Sequence, residues 1–182
     1  KRLEDHFLGD SEYHGTGGPL NVAELRSPSA LSKAFVEAAV LNGIPATNDY
    51  NGADQFGSFL YQMTHINGER CSAAKGYLTP NLSRANLCVK THALSVRILL
   101  QGKRASGVAY YQGKELKEVH ARREVILSAG AFGSPQLLLL SGIGPAKELQ
   151  AHGIPVLHEL PGVGENLQDH IDQVQRYICD SD

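Results

Sequence analysis

One stretch of the sequence decides the fold: Ser128-Ala129-Gly130-Ala131-Phe132-Gly133-Ser134-Pro135-Gln136-Leu137-Leu138-Leu139-Leu140-Ser141-Gly142-Ile143-Gly144. The residues directly before it, 125–127, are uniformly apolar, which is typical of a strand that is covered on both faces inside a parallel sheet. We therefore predict a strand over residues 123–128, and we expect it to be the most buried strand of the chain.

A helix is predicted directly after this strand. Ser134 has the residue type of an N-cap, Pro135 suits the first helical position, and Gly142 follows the last apolar residue. These signals place a helix over residues 134–141. A second, shorter helix is predicted over residues 145–152.

The junction between strand and helix has the chemistry of a nucleotide site. Ala129 and Gly130 are small, so a ligand can approach the backbone closely, and the amides at a helix N-terminus favour negative charge. Folds of the α/β class hold nucleotide cofactors at such junctions. The same junction also occurs for packing alone, so the local pattern leaves both interpretations open.

The remaining elements follow from local patterns. The β-rich runs between residues 86 and 121, separated by short Gly-containing links, predict a three-stranded antiparallel meander. Upstream, Ser27 and Pro28 have the residue types that open a helix, and Gly43 ends it. That helix carries an apolar face predicted to pack on a core, and residues 58–66 are predicted to form a strand.

Composition excludes several classes of function. The chain has 182 residues, of which 42% are hydrophobic, and no apolar run approaches the roughly 20 residues of a membrane span. Its 17 basic and 19 acidic side chains form no basic block, which argues against nucleic acid as a partner. The 3 cysteines are far apart and form no CxxC pair, so we predict neither a disulfide framework nor a metal site.

Residues 130–144 resemble the second sequence motif of the glucose-methanol-choline (GMC) oxidoreductases nearly position by position, including Ser-Pro and Ser-Gly-Ile-Gly. The turn that these enzymes place soon afterwards is resembled by Leu160-Pro161-Gly162-Val163-Gly164-Glu165-Asn166-Leu167-Gln168-Asp169-His170. The middle region of the family is similar to residues 67–78, 84–89 and 102–108. The loop before its substrate domain is similar to residues 14–20. The resemblance covers essentially the whole chain and is closest to the choline and aliphatic alcohol dehydrogenase branch.

The resemblance implies an α/β fold with α+β elements, made of part of an FAD-binding domain and part of a substrate-binding domain. Residues 1–65 are assigned to the substrate-binding part and its connecting loops. Residues 66–160 are assigned to the FAD-binding part, and residues 161–182 to a loop that leads back to the substrate domain.

The implied function is oxidation of a primary alcohol, choline or an aliphatic alcohol, to the aldehyde by hydride transfer to FAD. A quinone or another acceptor would take the electrons, and an oxidase that uses oxygen is the alternative within the family. The family's catalytic histidine and its Gly-rich pyrophosphate turn match no segment, and no G-x-G-x-x-G is present. We therefore expect an internal piece of a longer protein that has no catalytic residue and no turnover of its own.

Five cofactor contacts are carried over from the resemblance. Ser95 lies where the family uses main-chain atoms to bind adenine, and Ala129 and Gly130 match the strand end near the adenosine half. Asn166 and Gln168 lie in the turn that runs near the flavin, although amides that brace a loop fit equally well.

Two broader expectations complete the sequence analysis. A cytoplasmic location is expected, with membrane association of the intact protein left open. A function of a different class, a non-catalytic adenine-nucleotide or partner-binding module, is the alternative to the enzyme.

Overall fold

A three-stranded antiparallel sheet is the main sheet of the computed structural model, which describes residues 2–178. The chain divides into two compact units, Lys1–Val89 and Lys90–Asp182, and this sheet belongs to the second unit. Residues 66–89, which the sequence analysis groups with the FAD-binding part, lie in the first unit. The roles assigned to the domains stay predictions.

Short strands and one regular α-helix form the first unit. Strands β1 and β2 are paired in parallel and β3 and β4 form an antiparallel hairpin, with one turn of π-helix and one of 3₁₀-helix after the hairpin. The bounds are Glu4–His6 for β1, Leu20–Val22 for β2, Ala30–Leu41 for α1, His65–Ile66 for β3, Glu69–Arg70 for β4, Ala74–Leu78 for the π-helix and Thr79–Asn81 for the 3₁₀-helix.

Two buried histidines organise the first unit. His6 and His14 are each 4% exposed, and their rings stack with centroids 3.8 Å apart. Nε2 of His14 lies 2.9 Å from both carboxylate oxygens of Asp49, while its Nδ1 lies 3.5 Å from Oε1 of Glu4. Nε2 of His6 lies 3.1 Å from Oε1 of Gln62. These bonds join the first strand to distant loops through a polar core that the sequence analysis did not predict.

The predicted start and burial of helix α1 are both wrong. Ser29, rather than Ser27, is the N-cap, because its hydroxyl accepts a hydrogen bond from the backbone N–H of Leu31 at 3.2 Å. The apolar face that was predicted to pack on a core is exposed to solvent, with Leu31 63% and Phe35 59% exposed. An apolar stripe shows that a helix can bury one face, but it does not supply the surface that covers it.

The strand predicted over residues 58–66 is also wrong. Only His65–Ile66 belongs to a strand, while Ser58 and Met63 form isolated bridges to Ala46 and Ala23. These partners come from two different segments, so the run never meets one continuous neighbouring strand.

The second unit contains the predicted meander, and its topology is confirmed. Strands β5, β6 and β7 pair in sequence order, and both links between them are two residues long and begin with a glycine of positive φ. The bounds are Ala93–Gln101 for β5, Arg104–Gln112 for β6, Glu115–His120 for β7, Gly130–Leu140 for α2, Ile143–Gly144 for β8, Ala146–Ala151 for α3 and His158–Glu159 for β9.

The buried parallel strand predicted over residues 123–128 is not formed. No described strand pairs with this segment, and Ile126 is 77% exposed. Because a strand is completed by hydrogen bonds to a neighbour, an apolar run without a partner stays outside any sheet. Among residues 2–178, the only strands that pair in parallel are β1 with β2 and β8 with β9.

Helix α2 begins four residues before its predicted start, so Ser134 is not its N-cap. Ala129 occupies the cap position, and Pro135 lies inside the helix. The hydroxyl of Ser134 instead accepts a hydrogen bond from the backbone N–H of Ala129 at 3.0 Å. The side chain thus stabilises the helix start from within the helix, which a search for N-cap residues does not detect.

The Ser-Gly-Ile-Gly sequence at the end of α2 has a packing role. Ser141 is 2% exposed; its hydroxyl accepts a hydrogen bond from the N–H of Ile98 at 2.8 Å and donates one to the carbonyl of Leu137 at 2.5 Å. A Cβ on Gly142, where φ is 77°, would overlap the carbonyl oxygen of Pro155. The motif therefore fastens α2 to β5 and to the segment that leads into β9.

No helix among residues 2–178 combines the length and the apolar character needed to cross a membrane. The same part of the chain holds no metal-binding group of three or more histidine, cysteine, aspartate or glutamate side chains. Cys71 is buried and Cys88 is exposed, and both are free thiols, whereas Cys179 lies outside the described residues.

Replacing Ser141 with alanine is expected to lower the free energy of unfolding of the second unit by about 1 to 3 kcal/mol, because the buried N–H of Ile98 loses its partner. Urea unfolding followed by circular dichroism measures the change. Ser128→Ala is the matched control, since Ser128 is exposed and its replacement should leave the midpoint nearly unchanged.

Replacing Asp49 with alanine is expected to destabilise the first unit by about 1 to 3 kcal/mol, because Nε2 of the buried His14 loses its carboxylate. Limited proteolysis of the first unit measures this loss as faster cleavage. Asp10→Ala, at an exposed position, is the control; equal cleavage rates for the two variants would contradict the role of the network.

Candidate functional site

A groove of about 570 Å³ runs between the first half of helix α2 and the segment that follows the Gly-rich turn. Both walls belong to the second unit. The residues that line it are Ala131, Phe132, Pro135, Gln136 and Leu139 from the helix, and Gly164, Glu165, Asn166, Leu167 and Gln168 from the segment.

The main chain is exposed where helix α2 begins, because the first residue of the helix is a glycine. Gly130 has φ of 82° and is exposed, and a Cβ built on it would meet no heavy atom within 4 Å. Side chains rarely adopt this backbone conformation, so glycine keeps the approach to the main chain open. The first-turn amides from Gly130 onward have no intrahelical acceptor, and they give this end of the helix a partial positive charge.

Ala129 and Gly130 stand directly before the groove-lining residues of α2, and both are exposed. The structure thus leaves both residues of the predicted adenosine contact region exposed. The N–H of Ala129 is already bonded to Ser134, so a ligand here would meet the carbonyl of Ala129 or the amides that follow it. Their role as cofactor contacts stays a prediction.

Asn166 and Gln168 line the opposite wall of the same groove. Asn166 has φ of 57°, a left-handed conformation that asparagine tolerates better than most residues, and both side chains are exposed. Neither side-chain amide braces the loop through a hydrogen bond within the described structure, so both stay available to a ligand. Four of the five predicted residues therefore lie at or beside one groove.

Ser95 lies apart from the groove-lining residues. It is exposed on β5, opposite Tyr110, and the pairing of β5 with β6 shifts between Ser95 and Arg97. A bulge of this kind re-aims the backbone locally and is common next to functional sites. The adenine contact proposed for its main chain stays a prediction.

Glu165 is the only ionisable side chain among the residues that line the groove. A diphosphate normally requires cationic side chains or a dense set of main-chain amides, so the groove suits an uncharged, polar and aromatic ligand group better. Main-chain groups, the amides of Asn166 and Gln168, and the apolar surface of Phe132 are the features that it offers.

The glycine cluster at residues 15–18 is a structural loop. The N–H of Gly15 donates to Glu4 and the N–H of Gly17 donates to Asp5, so carboxylates of β1 already occupy these amides. A Cβ on Gly18 would lie 2.5 Å from backbone atoms of Glu4. Packing explains these glycines, in agreement with the sequence-based conclusion that they do not form a phosphate-binding turn.

Comparison with known proteins gives consistent matches along the chain. Oxygen-dependent choline dehydrogenase from Pectobacterium carotovorum subsp. carotovorum (strain PC1) is 48% identical over 182 residues, which cover 98% of this chain and 32% of that protein. Oxygen-dependent choline dehydrogenase from Pseudomonas putida (strain GB-1) is 48% identical over 184 residues, with the same coverage of 98% and 32%. The chain therefore spans about a third of the length of these relatives.

Solved structures have the same fold. Pyridoxine 4-oxidase from Mesorbium loti superposes with a TM-score of 0.84 at 35% identity, over 93% of this chain and 33% of that chain. An FAD-dependent oxidoreductase from Chaetomium thermophilum superposes with a TM-score of 0.80 at 31% identity, over 92% of this chain and 32% of that chain. The mixed α/β class expected from the sequence is confirmed.

The family model described as GMC oxidoreductase matches residues 2–172. This range covers most of each unit and includes all five predicted site residues. The resemblance found in the sequence is confirmed, and the chain belongs to the GMC oxidoreductase family.

Proposed function

We propose that the intact protein is an FAD-dependent oxidoreductase that oxidises a primary alcohol, choline or a related aliphatic alcohol, to the aldehyde. The observation that carries the proposal is the groove along the first half of α2, which has two free side-chain amides on one wall and begins directly after the exposed backbone of Ala129 and Gly130. It lies within a chain that is 48% identical to proteins named oxygen-dependent choline dehydrogenases.

The residues of the groove fit part of FAD. The open side of Gly130 admits a flat ring against the main chain, and Phe132 is 76% exposed beside it. With Glu165 as the only charged lining residue, an uncharged part of FAD suits this groove, either the adenosine near Gly130 or the flavin near Asn166 and Gln168, and the diphosphate would find its contacts elsewhere. This division agrees with the absence of a G-x-G-x-x-G turn from the sequence.

The residues of this chain would bind and orient the cofactor rather than take part in the reaction. Main-chain groups near Gly130 and Ser95 would hold the adenosine half, and Asn166 and Gln168 would donate or accept hydrogen bonds across the groove. When bound, FAD supplies the hydride acceptor for alcohol oxidation. No described histidine lines the groove, so the base that takes the hydroxyl proton is assigned to no residue of this chain.

The electron acceptor is proposed separately from the cofactor. A quinone or another acceptor is the expectation from the sequence, and direct use of oxygen is the alternative that the names of the relatives favour. A cytoplasmic location, with membrane association of the intact protein left open, is proposed on the same footing.

Assay of the intact protein with FAD and choline tests the proposed function. We expect aldehyde formation with bleaching of the flavin absorbance under anaerobic conditions, and peroxide release in air if oxygen is the acceptor. Calorimetric titration of the present chain with FAD, AMP and ADP tests the non-catalytic alternative. Tight AMP binding by this chain together with no flavin reduction in the intact protein would contradict the enzyme assignment.

Replacing Gly130 with valine in the intact protein is expected to weaken FAD binding by at least about tenfold, because a β-branched side chain would occupy the approach to the backbone and strain a positive φ. The FAD content after dialysis measures the loss. Gly153→Val is the matched control, since Gly153 has φ of 68° and open surroundings but lies after α3, away from the groove. Equal FAD loss in the two variants would point to backbone strain and contradict the binding role.

A further inference from the structure

The sequence contains three Asn-Gly pairs, and the structure places them in different surroundings. They are Asn42-Gly43 at the end of α1, Asn51-Gly52 in a loop, and Asn67-Gly68 in the turn between β3 and β4. Asn-Gly is the sequence in which the backbone nitrogen of the glycine attacks the asparagine side chain most readily, because glycine presents no side chain to hinder it. Whether the attack occurs depends on the freedom of that backbone N–H.

Two of the three glycine amides are protected. The N–H of Gly43 donates to the carbonyl of Val40 at 3.0 Å, and the side chain of Asn42 is itself bonded to the carbonyl of Ala38 at 2.8 Å. The N–H of Gly52 donates to the carbonyl of Asp49 at 3.1 Å, and Gly52 is buried. Each pair must break a hydrogen bond before the glycine nitrogen can react.

The third glycine amide is free. The N–H of Gly68 has no hydrogen-bond acceptor among residues 2–178, and both Asn67 and Gly68 are exposed. Their φ values of 53° and 80° are those of a two-residue hairpin turn, in which this amide points to solvent. Because β3 and β4 are only two residues long each, opening the hairpin to reach the reactive geometry costs little.

Nearby charges reinforce the difference. Nη1 of Arg26 lies 2.6 Å from the position that a Cβ on Gly68 would take, so a cation lies beside the residue whose backbone nitrogen must lose its proton. At Gly52 the corresponding position is 2.6 Å from a carboxylate oxygen of Asp49, a charge that opposes this loss. Next to Gly68, the hydrogen bond and charge of Lys75 lower the pKa of Glu69, so the negative charge of Glu69 is paired with Lys75.

We propose that Asn67 is a site of spontaneous deamidation, through which the β3–β4 hairpin of this protein changes with time. The backbone nitrogen of Gly68 bonds to Cγ of Asn67, the bond from Cγ to Nδ2 breaks, and Nδ2 leaves as ammonia with the proton of the glycine amide. Water then opens the succinimide at one of its two carbonyls and gives aspartate or isoaspartate. Isoaspartate adds a methylene group to the backbone, which the two-residue turn cannot accommodate without losing its pairing.

Peptide mapping by mass spectrometry tests the proposal on the whole chain during incubation in mildly alkaline buffer. We expect Asn67 to convert about tenfold faster than Asn42 and Asn51, the factor that corresponds to one protecting hydrogen bond. The two protected pairs are internal controls in the same molecule, so the measurement needs no variant that must fold. Conversion of either protected pair at the rate of Asn67 would overturn the proposal.

Two variants test the chemical basis of the proposed deamidation. Asn67→Gln should abolish isoaspartate in the hairpin peptide and leave the other two peptides unchanged. Arg26→Gln should slow the conversion of Asn67 by about two- to fivefold, the range expected for an exposed charge, with no change at Asn42. An unchanged rate at Asn67 in Arg26→Gln would overturn the role given to the arginine.

Discussion

The hydroxyl of Ser141 is the contact on which the geometry of the candidate site depends. It is buried between the last turn of α2 and strand β5, and it satisfies a backbone N–H on one side and a backbone carbonyl on the other. Because both partners are main-chain groups, the contact fixes the helix to the sheet independently of their side chains. The start of α2 is the free end of a helix whose other end is held.

The site at the start of α2 is formed by exposed backbone and small residues as much as by larger side chains. Gly130 contributes open space, and Ala129 contributes a small side chain. The groove that follows carries no cationic side chain among its described lining residues. Such a surface is suited to recognising shape and hydrogen-bonding pattern rather than charge, which is the reason for proposing an uncharged part of FAD as its ligand instead of the diphosphate.

The sequence predicted the elements whose partners are close along the chain. The meander was predictable because Gly102 and Gly113 mark two-residue links and each strand pairs with the next. Long-range contacts were not predictable in the same way. The pairing of His14 with Asp49 joins residues 35 positions apart, and histidine within a Gly-rich loop gives no signal for burial.

The predicted boundaries of the helices and the predicted strand over residues 123–128 were wrong for a related physical reason. Ser27, Ser29 and Ser134 all have the residue type of a helix cap, and only the backbone conformation decides which of them caps. The apolar residues 125–127 likewise carry the pattern of a covered strand but meet no strand to pair with in the described structure. Sequence patterns report what a segment can do locally, while burial and pairing depend on neighbours that the pattern does not name.

Two glycines within residues 128–144 show why the candidate site could be located only from the structure. Gly130 and Gly142 both have positive φ and stand at opposite ends of the same helix, so a sequence motif treats them alike. At Gly142 the space that a side chain would need is filled by the carbonyl of Pro155, and the glycine serves packing. At Gly130 the same space is empty and faces solvent. The φ of 82° accounts for glycine at this position whatever the surroundings, and the empty space beside it is the room that the proposed cofactor contact would use.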